Sequence, residues 1–281
     1  MLWKPGGVSD DVEDRRGSRG GFPGMRIGGG LGIGGFLVLL VLSFVFNRNL
    51  FTIFTGDPAP GPAATSIPAE NGAPSTEVQF VSFVLDDLQN TWQNLLGDRY
   101  RRAKLVLFRD SIDSACGQAV SATGPFYCPG DEKVYLDLGF FDDLQNRFAA
   151  PGEFARAYVI AHEIGHHVQK VLGIEQKVQR LRESNPREAN PLSVRLELQA
   201  DCLAGVWGKS TGQRQIIDQS DVDAGLRAAA AIGDDRLQNM AGGRVSPESF
   251  THGSSRQRTE WFQRGLHSGD PAACDTFSAG R

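Results

Sequence analysis

Residues 154–172 read FARAYVIAHEIGHHVQKVL, and how this stretch is read decides the fold. Pro151 and Gly152 stand before it and Gly173 after it, the punctuation of a helix entered from a breaker and closed by a left-handed glycine. Inside lies His162-Glu163-Ile164-Gly165-His166, an H-E-x-x-H. Helical residues four apart differ by about 40° around the axis, so both imidazoles leave one face and can hold one metal ion. Glu163 sits one step round, where its carboxylate can hold a water without ligating. His167, turned about 140° from His162, reads as a surface or supporting histidine rather than a ligand.

A catalytic zinc takes three protein ligands and keeps one position for water. The extended H-E-x-x-H-x-x-G-x-x-H is absent, because Gln169 and Leu172 stand where its glycine and third histidine belong. Downstream acids are Glu175, Glu183, Glu188 and Glu197. Only Glu197 lies in a helical pattern with an acid four residues on, in Glu197-Leu198-Gln199-Ala200-Asp201. On one helix face, Glu197 can ligate while Asp201 accepts the outer N–H of a ligating histidine and fixes its tautomer. Ala200, Ala204 and Gly205 suit the close helix packing this requires.

Working outward, Val81, Val84, Leu85, Leu88, Trp92 and Leu95 recur at helical spacing. Residues 105–108 and 134–138 are short β-branched or aromatic runs and read as strands. Further helices are expected over 191–209, over 220–232 capped by Ser220 with Asp223, and over 255–266. The fold class is therefore α+β, mostly helical with a small sheet.

The 281-residue chain has a formal net charge of −4, so no basic excess points to nucleic acid. Residues 27–46 carry no charge, and 36–46 read FLVLLVLSFVF. Twenty helical residues reach about 30 Å, the hydrocarbon thickness of a bilayer. Lys4, Arg15, Arg16, Arg19 and Arg26 precede this run, and only Arg48 follows before Arg99. That asymmetry predicts a disordered cytosolic tail over 1–26, one transmembrane helix over 27–46, a Pro/Ala/Gly-rich linker over 47–75 and an extracytoplasmic domain over 76–281. A cleaved signal peptide is the competing reading of the run. Either places four cysteines in a disulfide-permissive compartment. Local spacing pairs Cys116 with Cys128, and elimination then pairs Cys202 with Cys274.

HEIGHH followed by LELQADCLAGVW resembles the neutral zinc metallopeptidases, bacterial single-pass membrane proteins within the gluzincin group. SDDVEDRRG, GPFYCPGDEKVYLDLGFF and FTHGSSRQRTEWFQRG extend the likeness over most of the chain. The resemblance implies a gluzincin-like domain, zinc, and Glu197 as third ligand. It also implies that an edge strand beside the metal helix, here Val134-Tyr135-Leu136, pairs with extended substrate. Thr251-His252-Gly253 with Arg258 is similar to a His-Pro…Arg element of membrane zinc proteases, with Gly253 in place of proline.

The implied activity is a membrane-anchored zinc peptidase acting on a peptide or protein, with Glu163 as general base for a zinc-activated water. His252 is the first candidate to stabilise the oxyanion, with Arg258 orienting it, and Tyr135 is the second. An idle membrane-tethered zinc-binding protein and a zinc hydrolase of a non-peptide bond are the alternatives.

Overall fold

Ser75 caps the first helix, accepting from the Val78 amide at 3.4 Å, and α1 then runs Thr76–Leu96. Its expected apolar stripe is buried except for Leu95, which faces solvent. The computed structural model describes residues 1–17 and 74–278; the run at 27–46 lies outside them. Among the described residues no helix is long and apolar enough to cross a membrane.

A four-stranded sheet packs against the helices. Strands β1 (Val12–Asp14), β2 (Lys104–Phe108), β5 (Phe126–Cys128) and β6 (Lys133–Asp137) lie in the order β1-β2-β6-β5. The first three neighbours run parallel and β5 is antiparallel to β6. Side chains alternate between faces. Leu105, Leu107, Val134 and Leu136 join the main helical core. Val106, Phe108, Cys128 and Tyr135 form a second cluster, joined by Ile112 of the hairpin β3 (Ser111–Ser114)–β4 (Gly117–Val120).

The helices follow as α2 (Gly139–Asn146), α3 (Glu153–Val171), α4 (Ile174–Ser184), α5 (Ala189–Gln213), α6 (Gln219–Ala231), α7 (Asp234–Met240) and α8 (Ser255–Ser268), with a 3-10 turn at Pro271–Cys274. Gly173 sits at φ 72°, as the end of α3 requires. The cap of α6 is Asp218 rather than Ser220: Asp218 and Asp221 close a reciprocal capping box, and Ser220 instead donates to Asp218.

Two glycine contacts set the helix spacing. A Cβ on Gly165 would stand 3.0 Å from the Ala200 carbonyl, so α3 and α5 nearly touch beside the H-E-x-x-H. A Cβ on Gly265 would lie 1.9 Å from the Cys202 carbonyl, so α8 crosses α5 backbone to backbone. Both expected disulfides are present, Cys116–Cys128 and Cys202–Cys274.

Two expectations are corrected here. Residues 1–17 are not a disordered tail. Val12 pairs with Leu105 and Asp14 with Leu107, Asp11 meets Arg102 at 2.5 Å and Lys104 at 2.9 Å, and the Trp3 ring packs on Phe80. Acids spaced along one edge meet cations of β2 and its neighbours, which supplies what the strip lacks in apolar area. Residues 1–17 and the helical domain thus form one folded unit. The second correction concerns β6. It is hydrogen-bonded on both sides and Val134, Tyr135 and Leu136 are buried, so it offers no free edge to a substrate. Among the described residues, the strand beside α3 with an unpaired edge is β5, last in the sheet order.

Candidate metal centre

α3 and α5 carry the three groups expected to meet. His162, His166 and Glu197 bring a ligand atom each to within 4.8 Å of one another. His162 Nε2 is 3.1 Å from Glu197 Oε2, and His166 Nε2 is 3.6 Å from Glu197 Oε1. Each histidine has its other nitrogen engaged behind the site: His162 Nδ1 lies 2.9 Å from Asp201 Oδ1, and His166 Nδ1 lies 2.8 Å from Gln169 Oε1. Those partners accept, so both rings carry a proton on Nδ1 and turn Nε2 inward toward Glu197. Two imidazole nitrogens and one carboxylate oxygen are a donor set that fits a catalytic zinc.

The electrostatics agree with a site built for a cation. Burial opposes a charge on His162, but Asp201 and Glu197 overcome it and push its pKa up to about 10. Burial also opposes the Glu197 carboxylate, yet the His166 and His162 rings hold it well below the usual carboxylate range. A metal ion entering here replaces a proton on imidazole, so its affinity falls as pH falls.

Behind His162 is a fully buried polar cluster. Arg258, on α8, donates through Nε to Asp201 Oδ2 at 2.8 Å and through Nη2 to Asp201 Oδ1 at 2.9 Å. Tyr158 donates to the same Asp201. Arg258 therefore supports His162 through Asp201 and does not orient His252. Tyr158 was missed in the sequence, although it stands one turn before His162 on the same face.

Glu163 is buried beside the ligands and makes no hydrogen bond among the described residues. His252 enters from the loop before α8, with its side chain half exposed, close enough for its charge to help hold Glu197 ionised. Its orienting partner is Asp234, at the start of α7: Oδ1 lies 3.1 Å from His252 Nδ1, and Oδ2 accepts the amides of Thr251, His252 and Gly253. That fourfold engagement fixes the loop, and Asp234 raises the pKa of His252 against the burial that lowers it. No spacing in the sequence ties residue 234 to 252, so Asp234 could not be found there.

Two other candidates lie elsewhere. Tyr135 points to the far face of the sheet, where it donates to Asp131 at 2.7 Å. His167 is neither ligand nor surface residue. It is fully buried, its Nε2 donates to the Arg101 carbonyl at 2.6 Å, and its Nδ1 accepts from Tyr127 of β5 at 3.0 Å. Burial lowers its pKa. It ties the metal helix to the open-edged strand.

The model of the family described as "Putative neutral zinc metallopeptidase" matches residues 1–277. The chain is 46% identical over 285 residues to the uncharacterized protein YpfJ of Escherichia coli K12, covering 99% of each chain. It is 45% identical over 199 residues to the uncharacterized protein Rv2575 of Mycobacterium tuberculosis H37Rv, covering 67% of this chain and 66% of that one. The chain belongs to the neutral zinc metallopeptidase family, and the donor set of the site is compatible with that class. No solved structure matches it.

Proposed function

We propose that the protein is a zinc-dependent peptidase that hydrolyses internal or terminal bonds of an extended peptide laid beside α3. The observation that carries this reading is the convergence of His162, His166 and Glu197 with Glu163 beside them. When bound there, zinc supplies Lewis-acid chemistry, polarising a carbonyl and acidifying water. Glu163 takes the proton of the attacking water and returns it to the leaving amine. His252, held by Asp234, donates to the oxyanion that develops on the substrate carbonyl. Substrate backbone adds to the open edge of β5.

Two disulfides support an oxidising, extracytoplasmic setting. Attachment to the membrane through the apolar run of 27–46 remains part of the proposal, with residues 1–17 and the domain on one face. Glu13 and Val106 are partners across β1 and β2, so cysteines at these two positions cross-link in intact cells if that placement holds. Separate labelling of the two cysteines from opposite faces would refute it.

The activity test uses protein stripped with a chelator and reloaded with one equivalent of Zn²⁺, on a mixture of unstructured peptides read by mass spectrometry. New termini appear only with metal and not with Glu163→Gln. Zinc bound without any cleavage supports the idle binding protein, and cleavage of esters alone supports a non-peptide hydrolase.

A further inference from the structure

The second disulfide joins α5 to the C-terminal turn, and its location bears on the metal. Cys202 follows Asp201 directly on α5. Cys274 closes the Pro271–Cys274 turn. Between this turn and His166 run two buried glutamines. Gln169 accepts from His166 Nδ1 at 2.8 Å, while its Nε2 donates to the Leu196 carbonyl at 2.7 Å and to Gln199 Oε1 at 3.1 Å. Gln199 in turn donates through Nε2 to the Cys274 carbonyl at 2.9 Å. Both glutamines are at least nine-tenths buried.

Buried amides persist only where their donors and acceptors are engaged. Here each amide is engaged on both its oxygen and its nitrogen, and each bond has a direction. The Cys274 carbonyl can only accept, so it sets which end of Gln199 faces Gln169. The Gln199 oxygen and the Leu196 carbonyl together hold the Gln169 NH₂, so that its oxygen faces His166. If the Cys274 carbonyl leaves, Gln199 can turn its own NH₂ against that of Gln169, and the Leu196 carbonyl alone then opposes the repulsion. The acceptor that holds the His166 Nδ1 proton and orients the ring would be displaced or loosened.

We propose that Gln169 and Gln199 are positioning residues that make the C-terminal turn, clamped by Cys202–Cys274, part of the metal site, so that metal affinity depends on that clamp. This rests on the reading of His162, His166 and Glu197 as ligands. The chain would acquire full metal affinity only once a disulfide-exchange partner, itself reduced to a dithiol, has taken the two electrons and two protons of the Cys202 and Cys274 thiols.

The experiment measures Zn²⁺ affinity by competition with a chromophoric chelator on the full chain. It compares wild type, Gln169→Met, Gln199→Met, the pair Cys202→Ala/Cys274→Ala, and the pair combined with Gln199→Met. Gln169→Met is expected to weaken binding about 10–100-fold, the range for a lost outer partner of a ligating histidine. Gln199→Met and the cysteine pair are each expected to weaken it about 10-fold. Their combination should weaken it about 10-fold as well, because both break one chain of bonds and coupled sites do not add. A combined loss of about 100-fold, the product of independent effects, would overturn the proposal.

If the cysteine pair prevents folding, the disulfide-intact Gln199→Met variant decides. It touches neither histidine, so wild-type affinity in this variant, with an unchanged thermal transition, also overturns the proposal. Wild type that binds no Zn²⁺ sinks the underlying reading of the site instead.

Discussion

The helix pair α3–α5 and the N-terminal strip of residues 1–17 dock on the same core by opposite means. The helices bury apolar stripes and meet at Gly165 and Ala200 with almost no gap. The strip buries little apolar area beyond Met1, Trp3 and Val12, and is held by sheet bonds and charges: Asp11 on Arg102 and Lys104, Glu13 on Lys133 at 2.6 Å, Ser9 on Asp86 at 2.7 Å. Apolar stripes leave a period in the sequence, whereas an edge strand fastened by charges leaves a polar run that looks unfolded. Chemistry and fastening are also divided between the two regions. Changes in the helix pair should alter turnover or metal while leaving the fold, and changes in the strip should do the reverse.

The sharpest break of that division is Glu163→Gln. Under the proposed role of Glu163, which serves the proton and not the metal, activity on a cleaved peptide should fall about 10²–10⁴-fold, the range of general acid–base catalysis, with zinc content and thermal midpoint unchanged. Loss of zinc from the variant would place Glu163 among the ligands. Next comes His252→Ala, expected to lower kcat about 10²–10³-fold at constant zinc content, as for one lost oxyanion donor. Asp234→Asn should give part of that loss, since Asp234 orients the ring. A normal turnover in His252→Ala would leave the oxyanion without a side-chain donor from this loop.

A smaller effect belongs to the buried support of His162. Asp201→Asn should weaken Zn²⁺ binding about 10–100-fold, and calorimetry in buffers of different ionisation heat should show fewer protons released. The sign follows from the metal-free site: Asp201 helps hold His162 protonated up to about 10, and removing that carboxylate lets the ring enter neutral. Equal affinity and equal proton release would mean that Arg258 and Asp201 serve only packing.

What the sequence shows and hides follows the same line. The H-E-x-x-H, Glu197 and Asp201 are spaced by helix geometry, so their faces could be computed before any coordinates. Both disulfides were reachable by short spacing and elimination. Asp234 and the Gln199–Cys274 bond are contacts between separate elements, and no period records them. The choice of β6 as substrate strand failed for a topological reason: β5 follows a hairpin and returns antiparallel, covering the edge that β6 would otherwise expose. The strip failed because Ser9 to Arg16 carries four acids followed by two arginines, with one valine among them, a composition that alone argues for disorder.

The strip itself gives the smallest effect and the one with the clearest dependence on pH. Asp11 is held by Lys104 and Arg102, whose hydrogen bonds and charges outweigh the opposing burial and lower its pKa. Its folded pKa lies below its unfolded one, so the ionised carboxylate adds stability above about pH 4 that is lost as pH falls through the folded value. Asp11→Asn should therefore destabilise the domain by about 1 kcal/mol at pH 7, the worth of a partly solvated pair with one good hydrogen bond. In a domain of this size that is a drop of about 2–4 °C in thermal midpoint. The gap between variant and wild type should narrow as pH falls through the lowered folded pKa, where the native carboxyl also becomes neutral. Peptidase activity and zinc affinity of Asp11→Asn should match wild type at 25 °C, because no bond joins Asp11 to the ligands. A gap that does not narrow as pH falls below about 4 would show that Asp11 acts through shape rather than charge. A loss of zinc affinity would show that the strip is coupled to the metal site after all.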